Sequence, residues 1–110
     1  MKNKPNAFLI TTFFLLSCTF TQAQSGFKGT IIDAQTLLPV EFATVSVLQV
    51  ADSLILTGTI TDSTGGFIIE NVLPGTYHIK LSFIGYRDTY IENVTVSEIP
   101  YEVGKQMLQP

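Results

Sequence analysis

Several residue types that carry chemistry are scarce in this sequence. Its 110 residues include no tryptophan, one cysteine (Cys18) and one histidine (His78). Cys18 lies in an apolar N-terminal stretch, so the chain from Gln24 onward has no cysteine at all. That excludes disulfides, thiol catalysis and cysteine metal sites from the main body. Basic residues are also few. After residue 23 only Lys28, Lys80, Arg87 and Lys105 stand against nine acids, a net charge of −5. An acidic body with scattered bases argues against nucleic acid as a partner. The length allows one domain and excludes a long multidomain enzyme. The 45% hydrophobic content excludes a disordered acidic tail.

The N-terminus is an address. Lys2 and Lys4 precede the uncharged, largely apolar run Ala7–Phe20, and Thr21-Gln22-Ala23 supplies small residues where a signal peptidase cuts. This is the order of a secretory signal, expected as a helical signal peptide over residues 1–23 with cleavage after Ala23. The run is shorter than the ~20 residues of a membrane-spanning helix, which disfavours a retained anchor. Leu15-Leu16-Ser17-Cys18 also resembles a lipobox, with lipidation of Cys18 as the minor alternative. The domain is expected over residues 24–110, exported to the periplasm or associated with the outer membrane.

From Gln24 the hydrophobic period is two, not 3.6. Leu54, Leu56, Gly58 and Ile60 alternate with Ile55, Thr57, Thr59 and Thr61; Tyr77, Ile79, Leu81 and Phe83 alternate with polar neighbours; Val45 and Val47 flank Ser46. Successive strand side chains point to opposite faces, and β-branched and aromatic residues suit a half-buried pleated surface. Strands are expected near Phe27–Asp33, Phe42–Gln49, Leu54–Thr61, Phe67–Asn71, Tyr77–Ile84, Thr89–Val96 and Val103–Gln109. Val94 and Val96 point inward, and Met107 and Leu108 close an edge. Asp62-Ser63-Thr64-Gly65-Gly66 reads as a hairpin turn joining the third strand to the fourth. Pro74-Gly75 reads as the centre of a type II turn, with glycine at positive φ. Seven short strands with turns every 8–12 residues predict an all-β sandwich. The expected core is Val45, Val47, Leu56, Ile60, Phe67, Tyr77, Ile79, Leu81 and Phe83, and truncating Phe83 to alanine is expected to cost about 3–5 kcal/mol.

No catalytic constellation is visible. His78 faces away from the core beside Lys80 and lacks the positioned partner that acid–base work needs. No residues stand at metal-ligand spacing around it. Asp62-Ser63-Thr64 lacks the alternating acids and terminal glutamate of a calcium loop. Ser25, Ser46, Ser53, Ser63, Ser82 and Ser97 have no nucleophile elbow around them. There is no phosphate-cradling glycine loop. No catalytic, cofactor or metal residue is assigned, and no cofactor is expected. Asn93-Val94-Thr95 is a glycosylation sequon. Tyr86, Tyr90 and Tyr101 are candidate sugar-stacking aromatics, too spread in sequence to form a platform on their own.

Five pieces occur in order: Gly29-x-Ile31-x-Asp33, Phe42-Ala43-x-Val45, Thr61-Asp62-x-x-Gly65-x-Phe67, Pro74-Gly75-x-Tyr77 and Ile84-Gly85-Tyr86. Together they resemble the carboxypeptidase regulatory-like domain, which implies a transthyretin-like (prealbumin-type) Greek-key sandwich over roughly Gly26–Pro110. Leu37 stands where that family often has a glycine, so the Asp33–Pro39 loop is the point of departure. Ala51-Asp52-Ser53, Leu56–Asp62 and Ser82–Tyr86 further resemble the N-terminal extension of Bacteroidetes-type TonB-dependent outer-membrane receptors. There a signal peptide directly precedes the domain and a plug and barrel follow. This chain reaches Pro110 about where the connection to a plug would start, as a truncated receptor N-terminus or a free-standing domain would.

Two functions follow from that resemblance. One is a non-catalytic periplasmic extension of such a receptor, acting in interaction or support, with the barrel, the plug or another envelope protein as partner. Its physical means is strand pairing at an exposed sheet edge. The other is a free-standing carbohydrate- or cell-wall-binding accessory module with a glycan as ligand. An enzyme is rejected for want of a constellation.

Overall fold

The computed structural model describes residues 25–97 and 99–110. The expected signal peptide and Cys18 lie outside them. Seven strands are present: β1 (Gly26–Asp33), β2 (Thr44–Gln49), β3 (Ile55–Ile60), β4 (Gly66–Glu70), β5 (Gly75–Ser82), β6 (Thr89–Val96) and β7 (Tyr101–Leu108). They form a three-stranded sheet in the order β4-β1-β7 and a four-stranded sheet in the order β3-β2-β5-β6. All neighbours are antiparallel except β1 and β7, which run parallel.

The two sheets face each other because each strand turns one apolar side inward. Phe27 and Ile31 from β1, Phe67 and Ile69 from β4 and Leu108 from β7 meet Val45, Val47, Ile79, Leu81, Val94 and Val96 from the other sheet. The Phe27 and Tyr77 rings cross between the layers edge to face, with centroids 6.1 Å apart and planes at 85°. Each fully buried side chain of this kind contributes about 1.5–3 kcal/mol. Phe27, Ile31 and Leu108 belong to the innermost group, although the sequence reading did not place them there.

Four expectations need correction. Leu56 and Ile60 are not core: they are 47% and 56% exposed. The register pairs Val45 with Thr59 and Val47 with Thr57. Directly opposed residues share a face, so the threonines lie on the side that carries the core valines. Ile60 is opposite the exposed Thr44. Phe83 and Tyr77 are only partly buried, packing against the core from its rim. The Asp62–Gly66 turn does not make a hairpin. It carries the chain from β3 in one sheet to β4 in the other. Finally, Gly75 has no positive φ and opens β5; the left-handed residue before it is Asn71, at φ 62°.

Leu37 does occupy a left-handed conformation, φ 62°. It holds the geometry for which glycine is best suited, so the loop keeps its shape despite the departure.

Candidate functional site

The motif residues have structural duties. Asp62 Oδ1 accepts hydrogen bonds from the Thr64 and Gly66 N–H groups, at 2.9 and 3.0 Å, and from the Thr64 hydroxyl at 2.6 Å. Those donors hold its carboxyl below the ordinary range, the Thr64 hydroxyl most of all. Gly65 sits at φ 77°, and a Cβ there would stand 2.4 Å from the Ile31 carbonyl oxygen. Any other residue would force β1 aside.

Asp33 works in the same way at the C-terminal end of β1, close to where Gly65 packs on Ile31. Its Oδ1 accepts from the Gln35 and Thr36 N–H groups at 2.7 and 2.9 Å, and its Oδ2 from the Tyr86 hydroxyl at 2.6 Å. The Tyr86 contact is the largest cause lowering the Asp33 carboxyl, and the same contact raises the Tyr86 phenol. This clasp ties the first family motif to the last across 53 residues. Thr61, almost wholly buried, donates to the Val40 carbonyl at 2.6 Å and accepts from the Ala43 N–H at 2.9 Å. It fixes the strand crossing where β3 leaves its sheet.

His78 also serves the backbone. β5 and β6 slip register between Tyr77 and Ile79, and Asn93 is left-handed at φ 57°. His78 Nδ1 accepts the Asn93 N–H at 3.1 Å, so the imidazole satisfies a donor at the bulge. The three tyrosines do not converge. Tyr90 is on β6, Tyr101 is on β7 in the other sheet, and Tyr86 is bound to Asp33. Among the described residues no three His, Cys, Asp or Glu side chains are grouped to hold a metal. No described helix is long and apolar enough to cross a membrane.

What remains available is backbone. β3, β4, β6 and β7 are sheet edges. An edge strand presents unpaired N–H and C=O groups, and proteins blunt it with charge, bulges or shortness. β4 has five residues and ends in Glu70. β6 carries Glu92 and the bulge at Asn93. β7 carries Glu102, Lys105 and a register shift, with Gly104 at φ 72°. β3, Ile-Leu-Thr-Gly-Thr-Ile, has no charge, and its ladder is regular from Thr57 to Ile60. Its apolar side chains Ile55, Leu56 and Ile60 are exposed, as is Leu54 just before it. Thr61 bonds inward through both backbone groups, to Ala43 and Phe42. By the alternation of an antiparallel ladder, the N–H and C=O groups of Gly58 and Ile60 therefore point away from β2. An open concavity of about 420 Å³ continues this edge past Ile60 to Asp62, Ile68 and Glu102.

Comparison with known proteins fits this description. The family model of the carboxypeptidase regulatory-like domain matches residues 26–102. The chain belongs to that family. The family is a non-catalytic module type, and its motif residues here hold turns and strands together. Crystal structures of a C-terminal and an N-terminal interface mutant of the type II cohesin–X–dockerin complex from Acetivibrio cellulolyticus contain similar chains. Their identities are 28% and 27% and their TM-scores 0.58 and 0.52, over 73% and 76% of this chain. This chain spans about half the length of each, 51% and 52%. The 5-hydroxyisourate hydrolase of Klebsiella pneumoniae shares the fold at TM-score 0.57, with 14% identity over 84% of this chain and 94% of its own. At that identity the likeness concerns the fold alone, a prealbumin-like sandwich. No curated protein matches the chain.

Proposed function

We propose that this chain is an exported, non-catalytic interaction module, the periplasmic N-terminal extension of a TonB-dependent outer-membrane receptor. Family membership directly behind a signal-type N-terminus is the observation that carries this reading. The receptor-like stretches Leu56–Asp62 and Ser82–Tyr86 support the receptor context. The first forms most of β3 and its exit turn, and the second forms the end of β5 and the Tyr86 clasp. The similar chains from Acetivibrio cellulolyticus come from a protein–protein complex, which supports an interaction role. A rigid sandwich with an open edge suits that role, because strand addition uses backbone groups and needs no catalytic side chain.

The test is the genomic DNA after the Pro110 codon. A reading frame that continues into a plug and a β-barrel is expected. A stop codon at that point would contradict the receptor context.

A further inference from the structure

We propose that β3 is the docking edge of this module and that its occupant is an extended segment of another protein, β-branched or apolar at its centre, with a lysine or arginine at each end. This rests on the interaction reading above and adds the edge and the chemistry of the partner.

The edge follows from elimination among the four. β4 is short and ends in Glu70, and β6 and β7 combine charge with a bulge; β3 also has a bulge, at Leu56, but it carries no charge and its ladder is regular from Thr57 to Ile60. An incoming strand would bond to the outward N–H and C=O groups of Gly58 and Ile60. Gly58 leaves its position on the sheet face without a side chain, and the exposed Leu56 and Ile60 flank it.

The partner's charge follows from the surroundings. From Gly29 to Ile79 the chain has five acids, Asp33, Glu41, Asp52, Asp62 and Glu70, and no lysine or arginine. Asp52 stands before β3 and Asp62 after it, both exposed. The nearest cation in this sheet, Lys80, is two strands away and pairs with Asp88 at 3.6 Å. In the facing sheet Lys28 shares the concavity with Ile60 and Asp62, and Glu102 in the same lining offsets it. The edge is thus apolar in the middle with an acid beyond each end. A strand on Ile55–Ile60 spans roughly 20 Å, so basic residues about six to eight positions apart would reach both carboxylates.

A second copy of this chain fits less well. Twofold antiparallel pairing about Gly58 would put Asp62 opposite Leu54 of the other copy, two residues from that copy's Asp52. Like charges so placed oppose pairing. Cationic ends replace that repulsion with attraction.

The isotope-labelled full chain, titrated with two synthetic peptides while its amide resonances are followed, tests this. One peptide is Lys-Val-Thr-Val-Thr-Val-Lys; the other has glutamate at both ends. The basic-ended peptide is expected to move the Gly58 and Ile60 amides and to bind about tenfold more tightly than the acidic-ended one, the difference shrinking as salt is raised. Ile60→Lys and Leu56→Lys, both at exposed positions, are expected to abolish binding with the thermal midpoint retained. Equal affinity for the two peptides, no binding of either, or shifts confined to β6 or β7 would overturn the assignment. So would a peptide-free dimer that Ile60→Lys splits, since the edge would then belong to a second copy. Failure here leaves the receptor context standing. A stop codon after Pro110 removes that context and leaves peptide binding at β3 intact.

Discussion

β2 and β3 are hydrogen-bonded neighbours with similar alternating sequences, Thr-Val-Ser-Val-Leu-Gln and Ile-Leu-Thr-Gly-Thr-Ile, yet their fates are opposite. In β2 Val45 and Val47 are fully buried against the facing sheet, and Ser46 and Leu48 are buried on the other side. In β3 no residue is buried. Strand propensity and alternation are shared; the number of neighbours is not. β2 has a strand on each side, whereas β3 has one and turns its threonines to the valine side. Apolar side chains on a central strand are therefore covered by the facing layer or by flanking elements, whereas on an unpaired edge they stay exposed.

Core and edge should separate sharply under mutation. Phe27→Ala removes a fully buried ring that spans the layers, and a loss of about 3–5 kcal/mol in urea unfolding is expected. Phe83→Ala, at the rim, should cost less than the sequence reading implied. Thr61→Val leaves the Val40 carbonyl and the Ala43 N–H without their partner, a loss of about 1–3 kcal/mol by the same measurement.

The two capped turns sharpen the comparison through pH. Asp33 and Asp62 have carboxyls held low in the folded chain, and unfolding returns them to the ordinary range. Between those two ranges the unfolded chain binds more protons. Their stabilisation is therefore complete above the ordinary carboxylate range and is lost as pH falls through the folded values. Tyr86 runs the other way. Its raised phenol stabilises below the ordinary tyrosine range, and that is lost as pH rises through the folded value. Tyr86→Phe should weaken the acid-side dependence of the urea midpoint and abolish the tyrosine part of the alkaline one. An acid limb unchanged in an Asp33→Asn, Asp62→Asn double variant would contradict the assignment.

Smaller effects remain. Leu37→Gly relieves a left-handed leucine at an exposed loop position, and thermal unfolding should show a gain of about 0.5–1 kcal/mol. Leu56→Ala on the open edge should change stability by less than about 0.5 kcal/mol. A larger loss would mean that the edge packs against something.

Much of the fold is legible in the sequence because period-two patterns and turn residues are local. All seven strands lie within a few residues of their expected places. The family pieces likewise mark real turns and core positions. Sheet membership was not legible: the Asp62 turn has hairpin chemistry, and whether β4 pairs with β3 or β1 depends on contacts far along the chain. Nor was the inward face of β3, because alternation defines two faces without naming the buried one. The Thr61 lock, the His78 bond and the Asp33–Tyr86 clasp join residues 15–53 positions apart. The edge was foreseeable in kind, as strand pairing, but which edge stays open is a property of the sheet order.

Native-state hydrogen exchange of the full chain, resolved by residue, tests the openness of β3 most directly. The Gly58 and Ile60 amides should exchange rapidly, while those of Thr59, Thr61, Val45 and Ile79 stay protected. If Gly58 and Ile60 prove as slow as Val45 and Ile79, the edge is already paired and β3 offers no docking surface.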